Sequence, residues 1–295
     1  MNLETDLHLT DADFKVVQDV VYKHCGISLN DDKKAMVRAR LAKQMRTADF
    51  DSPASYLKHV LSDRKGRAFA DFIDAISTNL TSFYREADHF KFLSVNVLPN
   101  LLAQKRAMGD SRIVVWSAAC SSGEEPYSLA MTILDAIRQA PRGNQNWDVR
   151  LLATDISTRM LAAARAGIYG EARLQSLPPD FKSRYFTPAV GAKGQEEQFE
   201  VSLELRQAVR FRHLNLMDPW PFNGNFDFIF CRNVMIYFDP ATQQQLVRRF
   251  WNCLKPGGFL FTGHSESLTG ASHRFVSRRP SIYEKPGATA AQNAA

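Results

Sequence analysis

Residues 112–128 read RIVVWSAACSSGEEPYS, and the order of residue types along them decides the fold. An apolar run from Arg112 to Trp116 gives way to small residues, Ser117 to Gly123. A segment with helical spacing follows, Glu124 to Ala140. This is a buried strand entering a helix through a turn with little side-chain bulk. The pattern recurs toward the C-terminus. Val149–Asp155 is a second apolar run, followed by a helix from Ser157 to Ala166. Val209–Leu216, Phe226–Cys231 and Phe259–Thr262 are further runs, with a helix from Pro240 to Leu254 between the last two. Strands alternating with helices specify a mostly parallel α/β sheet covered on both faces. Pro256-Gly257-Gly258 is expected to turn tightly into the last strand, and residues 273–285 to form a hairpin or edge strand. Residues 188–206 break the pattern. They are polar, contain glycine and alternate from Gln198 to Leu203, so a small antiparallel β excursion is expected there.

Upstream, residues 1–90 read as a small all-α domain. Thr10 or Asp11 caps a first helix with Phe14, Val17, Val20 and Val21 on one face, and Gly26 ends it. Asn30 opens a second helix, with Met36, Leu41 and Met45 expected on its buried side. Residues 52–63 and 66–78 supply two more, completing a short bundle. The sheet domain is expected over residues 91–285, and a disordered tail over 286–295.

The chain has 295 residues, 45% hydrophobic and 23% charged, ordinary for one large or two modest globular domains. Its net charge of +6 favours acidic partners and is also compatible with simple solubility. Cys25, Cys120, Cys231 and Cys253 have no metal-ligand spacing, so no metal is expected and a reducing compartment fits. The first residues, MNLETDLHLTDADF, are acidic where a signal peptide is basic and then apolar, and no window approaches the roughly 18 apolar residues of a membrane span. A cytoplasmic protein without membrane insertion is expected.

Ligands of open parallel sheets bind at the carboxyl ends of the strands. The turn after Trp116 has one glycine and lacks the dinucleotide fingerprint GxGxxG. Glu124 and Glu125 at the following helix N-terminus would repel a phosphate. They suit S-adenosylmethionine (SAM), which has no phosphate and carries an ammonium group. Asp155, ending the second strand, suits ribose hydroxyls. Arg232 and Asn233 stand where a later strand emerges. Plainer roles exist for each: a tight turn, a helix cap for Asp155, and an arginine that binds loop carbonyls.

Together these segments resemble the CheR family of chemotaxis receptor methyltransferases. The resemblance lies in TNLTSFYRE (78–86), WSAA with SGEEPYS (116–128), ATDI (153–156), FCRNVMIYF (230–238) and GHSE (263–266), and extends from about Leu9 to Lys285. It implies a Rossmann-like SAM-dependent methyltransferase sheet behind a helical domain, with transfer of methyl from SAM to receptor glutamates. It implies SAM contacts at Asn79, Thr81, Arg85, Glu125, Asp155, Asn215, Leu216, Arg232 and Asn233. Arg85 and Tyr237 would flank the reacting methyl and carboxylate. Tyr84 replaces a common Phe and Cys120 a common Ala. Residues 191–194 do not clearly match relatives that grip a receptor C-terminal peptide.

A glutamate carboxylate, with an ordinary pKa near 4.3, is ionised at neutral pH and attacks a methyl directly. Orientation is then the main requirement, with no metal and no covalent intermediate. The basic second helix, with Arg38, Arg40, Lys43 and Arg46, suits docking to the acidic signalling coiled coil of a chemoreceptor, although a solvated face or nucleic acid fits the charge as well. A nucleic-acid methyltransferase on the same fold is the alternative; no NPPY-like base-pocket motif supports it, and no nucleic-acid partner is expected. A non-catalytic SAM sensor is a third reading, opposed by the intact set of pocket residues.

Overall fold

The computed structural model describes residues 9–141, 146–189, 197–222, 225–268 and 273–287. Four helices come first: α1 (Asp11–Cys25), α2 (Lys34–Thr47), α3 (Pro53–Ser62) and α4 (Arg67–Ile76). Thr10 and Asp13 form a capping box at the start of α1, and Gly26, at φ +73°, ends it in the left-handed conformation. A 3₁₀ turn, Asp31–Lys33, precedes α2. Val37, Leu41 and Met45 are the buried stripe of α2, four residues apart. Met36, expected in that stripe, sits one position off it and is only partly buried. Phe14, Val17, Leu41, Tyr56, Val60, Phe72 and Ile76 belong to one core.

That core closes at Ile76, and Phe83 and Phe90 already belong to the core of the sheet. An irregular segment, residues 77–86, crosses between the two. α5 (Ala87–Phe92) runs through a π turn, Leu93–Val97, into α6 (Leu98–Ala107). Alternating elements follow: β1 (Arg112–Ala118), α7 (Glu124–Gln139), β2 (Asp148–Asp155) and α8 (Thr158–Ala166). β3 (Ile168–Gly170), α9 (Phe181–Tyr185), β4 (Phe186–Pro188), β5 (Gln198–Val201) and α10 (Leu203–Ala208) intervene before β6 (Val209–His213), β7 (Phe226–Cys231), α11 (Pro240–Cys253), β8 (Leu254–Thr262), β9 (Val276–Arg279) and β10 (Ile282–Glu284).

The main sheet has the order β6-β2-β1-β7-β8-β10-β9. Its first five strands are parallel, and β10 and β9 add an antiparallel edge hairpin. From β1 the chain proceeds to β2 and β6 on one side and returns to β7 and β8 on the other. The switch point therefore lies between β1 and β7, where Ala118 pairs with Cys231. Pro256–Gly258, expected to turn tightly into the last strand, does so as a bulge within β8: Gly257 is left-handed at φ +79°, the pairing with β7 jumps from Phe226–Leu254 to Phe228–Phe259, and Lys285 exchanges backbone hydrogen bonds with Gly257 and Gly258. The antiparallel excursion is wider than the sequence pattern implies. It is a separate three-stranded sheet, β3-β5-β4, beginning at Ile168. β3 and β4 are too short for a period-two signal, and burial of Tyr169, Phe186 and Val201 holds them instead. Residues 191–194 and most of the expected tail lie outside the described residues. Among the described residues, no helix is long and apolar enough to cross a membrane.

Gly123 ends the β1 turn at φ +99°, where a Cβ would lie 2.9 Å from Ala164 Cβ and 2.9 Å from the Tyr169 hydroxyl. Gly123→Ala is expected to cost at least about 1–2 kcal/mol, the usual left-handed penalty for an L-residue, with the clash adding to it. Urea unfolding checks this, and an unchanged midpoint would mean that the turn relaxes freely.

Candidate functional site

A cleft opens at the carboxyl ends of β1, β2 and β7, under the α1 end of the bundle. The 77–86 segment contributes Asn79, Thr81 and Arg85; the β1–α7 turn contributes Ser121 and Glu125. Asp155 and Ile156 follow β2, and Arg232, Asn233 and Tyr237 follow β7. Ile27 lines it from the bundle and forms a β-bridge to Phe238, while Ser28 N–H donates to the Tyr237 carbonyl at 2.8 Å.

Asp155 ties two strand ends together. One carboxylate oxygen accepts from Ser121 N–H at 2.7 Å and the other from Ser157 N–H at 2.8 Å. The cap of α8 is Ser157, whose hydroxyl accepts from Met160 N–H. Burial raises the Asp155 pKa above the usual carboxylate range, against the opposing pull of these backbone donors. Ser121 Oγ also donates to the Asn79 carbonyl at 2.9 Å, joining the crossing segment to the turn.

The two glutamates of the turn diverge. Glu124 accepts from Ser122 Oγ and pairs with Arg173, away from the cleft lining. Glu125 faces inward, accepting from Ser117 Oγ at 2.7 Å and from Arg232 Nε at 2.9 Å. Burial raises the Glu125 pKa, and the Arg232 charge and the Ser117 hydroxyl pull it back. Arg232 also donates through Nη2 to the Arg85 carbonyl at 2.7 Å and lies over Phe90 and Phe230. Arg85 Nη1 donates to the Leu80 carbonyl at 2.8 Å.

Three residues of the site had no role assigned from sequence. Glu266 accepts from the backbone N–H groups of Gly263, Asn233 and Ile236, so one carboxylate shapes the ends of β7 and β8. Glu86 accepts from Asn233 Nδ2 at 3.0 Å. Burial opposes its charge, but Asn233 and Arg232 outweigh that and hold its pKa low. His89, one helical turn on, is buried against Arg232. Glu86 and Glu266 stood in the matched motifs; His89 lies outside them, three residues after Glu86.

Asn215 and Leu216 do not line the cleft. Asn215 Nδ2 donates to the His24 carbonyl at 2.6 Å, clamping the chain after β6 to the end of α1, and Leu216 is buried beside Trp220. Of the basic residues on α2, Arg38, Lys43 and Arg46 are exposed. Arg40 is half-buried and donates to the carbonyls of Ile76 and Ser77 and to Thr78, where the crossing segment starts. Backbone strain gathers at the cleft. Of eight non-glycine residues with positive φ among those described, Ala119, Ser121 and Asn233 line it, and Tyr84 and Glu86 flank Arg85.

The site fits a phosphate-free, cationic nucleoside: buried acids face inward from two strand ends, and the turn between them is built of small residues. Comparison with known proteins agrees. The profile of the CheR methyltransferase SAM binding domain matches residues 79–282, and that of the CheR methyltransferase all-alpha domain matches residues 12–77. The chain is 41% identical over 278 residues to a chemotaxis protein methyltransferase of Escherichia coli, covering 94% of this chain and 92% of that protein. It is 39% identical over 279 residues to chemotaxis protein methyltransferase 2 of Pseudomonas aeruginosa, covering 94% of each. A chemotaxis protein methyltransferase of Borreliella burgdorferi is 38% identical over 266 residues, covering 90% of this chain and 91% of that protein.

Removing one member of a buried ion pair strands the other charge and costs about 3–5 kcal/mol, whereas replacing both with apolar residues is far milder. Glu125→Leu is therefore expected to destabilise the fold severely, and Glu125→Leu with Arg232→Met to recover much of the loss. Denaturant unfolding distinguishes them; a double variant no more stable than the single one would show that the pair is not energetically coupled.

Proposed function

The chain belongs to the CheR methyltransferase family, and from that membership we propose that it converts glutamate side chains in the signalling domain of a chemoreceptor to methyl esters. It is a SAM-dependent methyltransferase of chemotaxis; a nucleic-acid methyltransferase on the same fold is not favoured. The observation that carries the reading is the cleft itself, with buried acids on its inner wall and Arg85 and Tyr237 beside them on the crossing segment and after β7. We place the enzyme in the cytoplasm, where the receptor's signalling domain is reached without crossing a membrane.

In this reading Asp155 accepts hydrogen bonds from the ribose, and Glu125 with Arg232 receives the ammonium and carboxylate of the amino-acid end. Asn79, Thr81 and Asn233 supply polar walls. Asn215 and Leu216 act from outside the cleft, the Asn215 amide steadying the chain after β6 against the His24 carbonyl. SAM supplies an electrophilic methyl on its sulfonium. Arg85 draws the acceptor carboxylate by charge-assisted hydrogen bonds, and Tyr237 lines its path. The acceptor is already an anion, so no side chain has to remove a proton. Catalysis rests on orientation and on a wall that keeps the two reacting groups in line. For docking we assign Arg38, Lys43 and Arg46, with Arg40 holding α2 to the crossing segment.

Transfer of labelled methyl from SAM to purified receptor signalling domains, giving a base-labile product, tests the reading; a base-stable product or label in nucleic acid would overturn it. Arg85→Ala is expected to lower turnover more than tenfold, with Arg85→Lys rescuing only in part because it lacks the planar fork. Turnover equal to wild type at saturating SAM would remove Arg85 from the site. Lys43→Glu with Arg46→Glu is expected to raise the receptor KM and weaken its salt dependence while leaving SAM affinity within about twofold.

The raised Asp155 pKa sets a pH dependence. The ribose hydroxyls need the ionised acceptor, so affinity for the product S-adenosylhomocysteine is complete above the raised pKa. It falls as pH drops through that pKa, toward tenfold per unit for each proton taken up. Calorimetric titration from neutral pH downward, as far as the fold persists, should show a steeper loss of affinity in the wild type than in Asp155→Asn. Identical slopes would exclude Asp155 as the titrating contact.

A further inference from the structure

We infer that His89 is a positioning residue for Arg232, fixing the plane of its guanidinium through the Nδ1 lone pair. The inference rests on Arg232 as a contact of the cofactor's amino-acid end.

The guanidinium is held on three sides. Nε donates to Glu125, Nη2 donates to the Arg85 carbonyl, and Nη1 lies 3.0 Å from His89 Nδ1. Guanidinium has no acceptor, so this contact requires a lone pair on Nδ1 and places the imidazole proton on Nε2. His89 is 1% exposed, with Phe261 edge-on at 5.9 Å and His264 edge-on at 4.8 Å. Burial and the adjoining Arg232 charge push its pKa down to about 3, so the ring stays neutral. Nε2 is buried without a hydrogen-bond partner. An N–H left unpaired is costly, and the arrangement persists because Nδ1 is already committed to Arg232.

A neutral acceptor suits this place. Glu125 pairs with Nε and the Glu86 carboxylate already lies 3.8 Å from Nη1, so a further full anion in hydrogen-bond contact with Nη1 would weaken the attraction of Arg232 for a ligand carboxylate. The imidazole satisfies the N–H and sets its direction without changing the charge. Glu86, His89 and His264 have donor atoms within 4.8 Å of one another, a spacing that could admit a cation. The Arg232 guanidinium fills that role: it lies 3.0 Å from Nδ1 and 3.8 Å from Glu86.

The test uses two substitutions in the full chain that separate acceptor from volume. His89→Asn is small but keeps an acceptor near Nδ1; His89→Leu fills the space and has none. Product affinity by calorimetry is expected to stay within about threefold for Asn and to fall about 10- to 100-fold for Leu. If Leu matches or exceeds Asn, His89 is packing and the proposal fails. If Leu does not fold, His89→Gln, whose acceptor is displaced by one bond, takes its place with the same expected loss. Arg232→Ala should weaken binding by itself, and adding His89→Leu should weaken it no further. An additive loss overturns the proposal. Unchanged affinity in Arg232→Ala overturns the cofactor reading of Arg232 as well, a result distinct from failure of His89 alone. Stoichiometric zinc binding that disappears in His89→Leu overturns the proposal in favour of a metal site.

Discussion

The buried pair between Glu125 and Arg232 pins the start of α7 to the end of β7, across the seam where β1 and β7 pair. Glu125 starts α7 beyond β1, and Arg232 leaves β7, the neighbouring strand across the topological switch. Through its other nitrogens Arg232 reaches the crossing segment and α5. A permanent charge at that depth has no water to replace a lost partner. The strand ends, the turn and the crossing segment must therefore assemble together, and the cleft exists because they do.

The bundle is fastened to this assembly at backbone groups, and Ile27 and Ile156 also pack across the boundary. Asn215 holds the His24 carbonyl and Ser28 donates to Tyr237, while within the bundle Arg40 ties α2 to the carbonyls that end α4, where the crossing segment begins. Each lies near the cleft. Movement of the bundle relative to the sheet would alter the spacing of Asn79, Thr81 and Tyr237, so the helical domain is part of the cleft's geometry and not a separate appendage. The same fact divides the basic helix: Arg40 faces inward to hold the chain, while Lys43 and Arg46 stay in solvent.

The parallel sheet was legible because its central strands are continuous apolar runs bounded by small residues. Phe226–Cys231 matched at both ends. The short strands were not, since three residues carry no period, and the bonding of the Pro256–Gly258 turn into the sheet was not legible because its partner, Lys285, is distant in sequence. Within the site, the motifs that carried the family resemblance indicated which residues gather at the cleft. They did not indicate which way each side chain turns. Asn215 and Arg40 looked like ligand and docking groups and are engaged with backbone carbonyls. His89 gave no sequence signal at all, because a histidine one helical turn after a glutamate is common, and its meaning depends on an arginine more than a hundred residues away.

The strained residues around the cleft have a consequence for engineering. Ala119 and Ser121 hold left-handed conformations that glycine adopts without steric strain, so glycine would relieve stored backbone energy at either position, against a freer unfolded chain and, at Ser121, loss of the hydroxyl that donates to the Asn79 carbonyl. It would also release the restriction that a side chain places on the unbound loop, and a ligand would then have to order that loop on arrival. At Ala119, where no side-chain hydrogen bond is lost, relief of strain and loss of preorganisation act in opposite directions, so selection for heat resistance alone does not preserve binding there.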